Sequence, residues 1–164
     1  VGSPAGGAAS GGGSFTGGAS NSGGTNSGGS GGSNPVNVRL VVNEIYGWGS
    51  HWVEIYNAGT ESADLDGIVV YAGTSGPSFQ NVCELGSGTL APGAFLVAQN
   101  GVNGCELSAP VGATVYLYAD GESFHERKNG DASSTPVVGQ SWFAVVDGGN
   151  DFDVGDPTKG VSNE

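Results

Sequence analysis

The amino-acid sequence predicts an all-β chain, a two-sheet β-sandwich over residues 35–164 carried behind a Gly/Ser-rich arm over residues 1–34. Three observations predict it. Glycine supplies 33 of the 164 residues and methionine is absent, while Val, Ile, Leu, Phe, Tyr and Trp cluster in short separated runs. Those runs alternate with period two, which sends successive side chains to opposite faces of a strand, and no stretch holds a helical period. Gly, Pro, Asn and Asp punctuate the gaps between them, as turns require.

The arm comes first. It reads VGSPAGGAASGGGSFTGGASNSGGTNSGGSGGSN, with Phe15 as its one aromatic and no charged side chain. So little bulky surface cannot offset the entropy of ordering the backbone, so the arm has no core of its own. It lacks the strict Gly-X-Y period of a collagen triple helix. As a coil it reaches on the order of 30 Å. Its small side chains permit close backbone approach, so it is expected to lie in a groove or along a sheet edge of a neighbouring subunit, with Phe15 and Pro35 as contact residues.

The strands follow in order. VRLVVNEIY (38–46) puts Val41, Asn43 and Ile45 on one side and Leu40, Val42, Glu44 and Tyr46 on the other. GWGS (47–50) is a turn, and HWVEIYN (51–57) forms an antiparallel partner with Val53 and Ile55 on one face and Trp52, Glu54 and Tyr56 opposite. A polar connection leads to GIVVYAG (67–73). Further strands are expected near residues 79–85, 94–100, 114–120, 122–128 and 141–146, with LAPG before Ala94 as a turn and ADGE (119–122) as an Asp-Gly hairpin turn. Seven to nine short strands at this spacing describe a sandwich.

Four pieces of the chain then carry a resemblance: VVNEIYGWGSHWVEIYN (41–57), DLDG (64–67), LAPGAFLVAQNG (90–101) and GDPTKGVSN (155–163). In this order they resemble the lamin-tail domain, an immunoglobulin-like sandwich found in nuclear lamins and in many secreted bacterial proteins. The resemblance spans roughly residues 37–163. The family usually closes nearer to Pro-Thr-Pro-Gly, so Lys159 departs from it. The resemblance implies an immunoglobulin-like fold and a habit of binding partners or tethering enzymes, with no shared catalytic residues. Fold alone does not determine function.

Charge narrows the classes further. Sixteen acidic residues against four basic ones give a formal net charge of -12, a field that repels polyphosphate. Nucleic-acid binding is therefore excluded as an expectation, and electrostatic adhesion to an anionic membrane is disfavoured. No apolar run approaches the roughly 20 residues of a membrane span, so no transmembrane segment is expected. The chain starts at Val1, which fits a mature form whose targeting segment has been removed. Cys83 and Cys105 are the two cysteines; a disulfide between them fits a secreted or cell-surface bacterial protein, against the alternative of two buried free thiols. No CxxC or Cys/His cluster points to a metal.

Candidate chemistry is sparse. Glu44 and Glu54 lie on facing strands and suit either an acid/base pair or, as expected here, acceptors for loop backbone amides. His51 and His125 are the two histidines, and neither sits in a triad-like arrangement. His125, Arg127 and Lys128 form the chain's basic patch, either a solvated hairpin edge or a contact with an acidic neighbouring copy. Asp147, Asp151, Asp153 and Asp156 crowd one segment, a weak calcium candidate without the spacing or the terminal Glu of an EF-hand loop, otherwise a solvated acidic turn. Trp48, Trp52, Trp142, Tyr46 and Tyr56 suit either a sugar-stacking platform or core filling.

The function expected from these readings is a non-catalytic extracellular structural protein without a cofactor, a filament or surface-layer subunit whose arm contacts the next copy. A monomeric cell-surface adhesion module for a polysaccharide or protein ligand is the alternative, and an accessory domain of a hydrolase complex a third.

Overall fold

The computed structural model describes residues 38–74, 81–130 and 134–163. The arm, with Phe15 and Pro35, lies outside them. The described residues form eleven strands and no helix: β1 (Leu40–Tyr46), β2 (Trp52–Asn57), β3 (Ala63–Asp64), β4 (Val69–Gly73), β5 (Val82–Glu84), β6 (Thr89–Leu90), β7 (Phe95–Gln99), β8 (Thr114–Ala119), β9 (Glu122–Lys128), β10 (Ser141–Ala144) and β11 (Phe152–Gly155). They assemble into a five-stranded sheet in the order β11-β10-β1-β2-β7, a four-stranded sheet in the order β5-β4-β8-β9, and the two-residue ribbon β3-β6. Every strand pairing among the described residues is antiparallel. The protein is an all-β sandwich.

Alternation explains which face each strand buries. Val53 and Ile55 of β2 face inward from one sheet, and Val70, Ala72, Val115 and Leu117 of β4 and β8 face inward from the other, all fully buried. Fully burying one such Val, Leu or Ile contributes about 1.5–3 kcal/mol, so this row of side chains holds the two layers together. On the outer face of the four-stranded sheet the alternate residues include Tyr71, Tyr116 and Tyr118, with Tyr71 packed edge-on against Tyr118 at 5.0 Å. The Asp-Gly turn between β8 and β9 takes the form its residues demand: Asp120 and Gly121 have φ of 54° and 82°, the two left-handed positions of a type I′ hairpin. Cys83 in β5 is disulfide-bonded to Cys105 in the β7–β8 connection, tying the edge of one sheet to the loop that leaves the other.

Three expectations need correction. The simple alternation assigned to residues 40–46 fails, because the register of β1 on β2 shifts between Val42 and Glu44. The bulge sets two residues, Asn43 and Glu44, against Glu54, so that Val42 and Ile45 both reach the core. The acidic segment read as a turn contains a strand, β11, which pairs with β10 and stacks Phe152 on Trp142 at 5.6 Å. The polar connection before residue 67 contributes β3, a strand too short for any periodicity to show.

Candidate functional site

The bulge creates the most polar buried place among the described residues. Asn43, Glu44 and Glu54 are all fully buried, on the face of the five-stranded sheet away from the core. Two carboxylates directly opposite one another on an antiparallel pair repel, and burial raises the cost of their charge. Donors from the C-terminal segment offset it. Thr158 donates its backbone N–H to Glu44 Oε1 at 3.1 Å, and its hydroxyl lies 2.7 Å from Glu44 Oε2. The Gly160 N–H donates to Glu54 Oε2, and Asn43 Nδ2 donates to Glu54 Oε1 at 3.0 Å. Both glutamates thus accept backbone amides, the role expected of them.

Asn43 extends the network. Its Nδ2 also donates to Asp147 Oδ1 at 2.9 Å, and its Oδ1 accepts the Gly148 N–H at 2.8 Å. Gly148 has φ of 72°, and a Cβ there would stand 2.8 Å from that of Ala58, so only glycine fits. Asp147 in turn accepts the Asn163 N–H at 3.2 Å, and Asn163 Nδ2 donates to the Ala144 carbonyl at 2.9 Å. Residues 158–163 are therefore a strap that crosses the sheet: Thr158 sits on β1, Gly160 on β2, and Lys159 reaches Gln99 of β7 while its ammonium stands 5.9 Å from the Trp52 ring.

The electrostatics follow from this enclosure. Burial pushes the Glu54 carboxyl above its ordinary value of 4.5; the hydrogen bonds from Asn43 and Gly160 oppose the rise, and the charges of Glu44 and Asp147 add to it. Chemically the arrangement is a clasp: its donors and acceptors face each other inside the chain.

The other expected sites fall as follows. The basic patch is divided by the strand. His125 and Arg127 pair with the inward-facing Leu117 and Val115 and are half-buried, whereas Lys128 is exposed on the opposite face. Arg127 donates to Asn150 Oδ1 and lies 5.3 Å from the Phe152 ring. Burial, followed by the charges of Arg127 and Arg39, pushes the His125 imidazole down to about 4. The three basic residues therefore present no single surface. Asp151, Asp153 and Asp156 are exposed, Asp147 belongs to the clasp, and among the described residues no three His, Cys, Asp or Glu side chains stand close enough to hold a metal ion. Trp52 and Trp142 are buried and Trp48 half-buried, so two of the three indoles of the sugar platform are packed inside. His51 accepts the Ala109 N–H through Nδ1 at 3.3 Å and orders a loop.

Sequence reasoning missed Asn43, Thr158 and Asn163. The available signal was an amide side chain in the middle of an apolar strand, VVNEI, where alternation alone offers it no partner.

No protein-family model matches the chain, and no curated protein or solved structure matches it either.

Proposed function

We propose that this protein is a non-catalytic extracellular structural subunit, a lamin-tail-like sandwich that assembles with copies of itself through its N-terminal arm. The observation that carries the reading is the segregation of charge. Every charged residue lies from Arg39 onward, so a body of net charge -12 follows an arm with none. Bodies of like charge repel at close range, whereas a neutral tract rich in small residues can meet an acidic surface without that cost. Head-to-tail contact of an arm with the next body does not close on itself and so extends into a filament.

Two further features support it. The Cys83–Cys105 disulfide suits an oxidising compartment outside the cell. The buried carboxylates accept hydrogen bonds from the strap, which is the work of a structural clasp. The ending GDPTKGVSN (155–163) supplies that strap. Lys159, which departs from the expected proline, has φ of 24°, a value a proline ring cannot adopt.

The test is negative-stain microscopy and sedimentation of the full chain beside a variant lacking residues 1–34. Threads from the full chain and dispersed bodies from the variant are expected. Polymers unchanged by the deletion refute the reading, and a full chain that sediments as a monomer at high concentration favours the adhesion module instead.

A further inference from the structure

The seam between β1 and β9 gathers positive charge without a counter-charge. Arg39 precedes β1, while His125 and Arg127 face inward from β9, which packs against β1. The two arginines are half of the four lysines and arginines in a chain of net charge -12. Both guanidiniums fasten to one turn: Arg39 Nη2 donates to the Gly148 carbonyl at 3.1 Å, and Arg127 Nη2 donates to Asn150 Oδ1. Those acceptors are neutral, and among the described residues no carboxylate pairs with either arginine. Burial, followed by the like charge of Arg39, instead pushes the Arg127 guanidinium below its ordinary value.

The same seam holds polar atoms that the chain does not satisfy. Arg127 Nε and His125 Nε2 are buried without a hydrogen-bond partner. Each unpaired buried polar group costs about 1–3 kcal/mol, more where it is charged, so two of them beside uncompensated cations point to a ligand. Open space adjoins them at both ends. One groove, of about 380 Å³, is lined by Arg127, Asn150 and Phe152, and another, of about 350 Å³, by Arg39 and His125. Asp151 lines the first groove and Asp64 the second, and both are exposed.

We propose that the seam of Arg39, His125 and Arg127 binds a sulfate group, as the free ion or as a sulfate ester on a polysaccharide. A dianion neutralises two guanidiniums at once, through charge-assisted N–H···O bonds, which are the strong class. Guanidinium groups donate and never accept, so the ligand they select carries acceptors alone. Sulfate does, whereas inorganic phosphate at pH 7 keeps an O–H that needs an acceptor of its own. His125, with its folded value lowered to about 4, is neutral at pH 7 and adds one N–H as the Nε2 tautomer. The Phe152 ring, 5.3 Å from the Arg127 guanidinium, holds the fork in place. The negative field of the body opposes the approach, but carboxylates beyond about 10 Å are largely screened at 0.1 M salt while the two arginines act at contact. The arm carries no charged side chain and cannot supply the anion.

The test titrates ¹⁵N-labelled full chain with sodium sulfate at pH 7, with ionic strength held constant by sodium chloride, and follows the arginine Nε–H and histidine ring resonances. Saturable shifts at Arg127 and His125 are expected. Arg39→Gln and Arg127→Gln should each weaken sulfate binding about tenfold, the worth of one hydrogen bond to a charged group, while Lys128→Gln on the opposite face leaves it unchanged. Saturating sulfate should also raise the His125 value in the parent chain, because the anion favours the charged imidazole against Arg39 and Arg127; this reading needs no variant to fold. Dextran sulfate that binds more tightly per sulfate than the free ion, with plain dextran silent, identifies the ester as the ligand, and the reverse order identifies the ion. Phosphate binding as tight as that of sulfate overturns the assignment. So do the absence of saturable shifts, binding that survives both arginine substitutions, and a His125 value that sulfate does not move.

Discussion

Asn43 Nδ2 donates to Glu54 Oε1 at 3.0 Å across a bulge that no period-two pattern anticipates. That one amide also serves Asp147 and the Gly148 N–H, so it links β1, β2 and the turn after β10. Asn43→Ala leaves the buried Gly148 N–H without its acceptor and takes one donor each from Glu54 and Asp147, which keep the Gly160 and Asn163 N–H groups. A loss of about 2–3 kcal/mol is expected. Urea denaturation of the variant beside Glu54→Ala and the double substitution measures it, and the expected double loss is smaller than the sum of the single ones. Strict additivity would refute the coupling.

The clasp also makes a prediction about pH. The folded-state value of Glu54 lies above its ordinary 4.5, so between the two the folded chain holds more protons than the unfolded one. Stability from this group therefore falls as pH rises from 4.5 through the folded value. His125 acts in the opposite sense. With its folded value lowered from 6.5 to about 4, the unfolded chain takes up the proton first on acidification, and stability falls as pH drops from 6.5 toward 4. Urea midpoints from pH 4 to 8 should show the first trend disappear in Glu54→Gln and the second in His125→Gln. Unchanged pH profiles in both variants would count against the assigned burial.

The disulfide ties a loop whose cysteines are separated by 22 positions. Chain entropy then gives about 3 kcal/mol of stabilisation. Cys83→Ser with Cys105→Ser is expected to lower the thermal midpoint under non-reducing conditions. Reduction should lower the wild-type midpoint and leave the double variant unmoved.

Lys159 sits at φ 24° with its ammonium near Trp52. Lys159→Pro, which restores the ending that the lamin-tail resemblance would favour, is expected to destabilise by more than about 1 kcal/mol because the ring cannot take this φ. Lys159→Gly relieves the backbone but loses the contact with Trp52, and should fall between the two. Thermal unfolding orders the three, and a proline variant as stable as the parent would sink the account of the strap.

How much was legible follows from these same residues. Val53, Ile55, Val115 and Leu117 were assigned to strands because alternation is a local property, read one residue at a time, and the Asp120-Gly121 turn because its chemistry is local too. β11 escaped because Asp151, Asp153 and Asp156 outweigh Phe152 and Val154 in composition, although the strand needs only one sheltered face to pair with β10. Glu44 and Glu54 were recognised as a facing pair, but their partners Thr158 and Gly160 lie more than 100 positions away, beyond any local pattern.

By itself the sequence determined the two-layer all-β architecture, the Asp120-Gly121 turn and the division between neutral arm and acidic body, and it left the cysteine pairing to the structure. These depend on the spacing of apolar side chains, on backbone angles that Gly and Asp permit, and on the order of charges, all of which are written along the chain. Only the tertiary structure decided that Asn43 bulges out, that the strap closes over Glu44 and Glu54, and that His125 and Arg127 turn inward. Each of these rests on which distant donors, acceptors and surfaces meet, and such meetings arise from packing the two sheets.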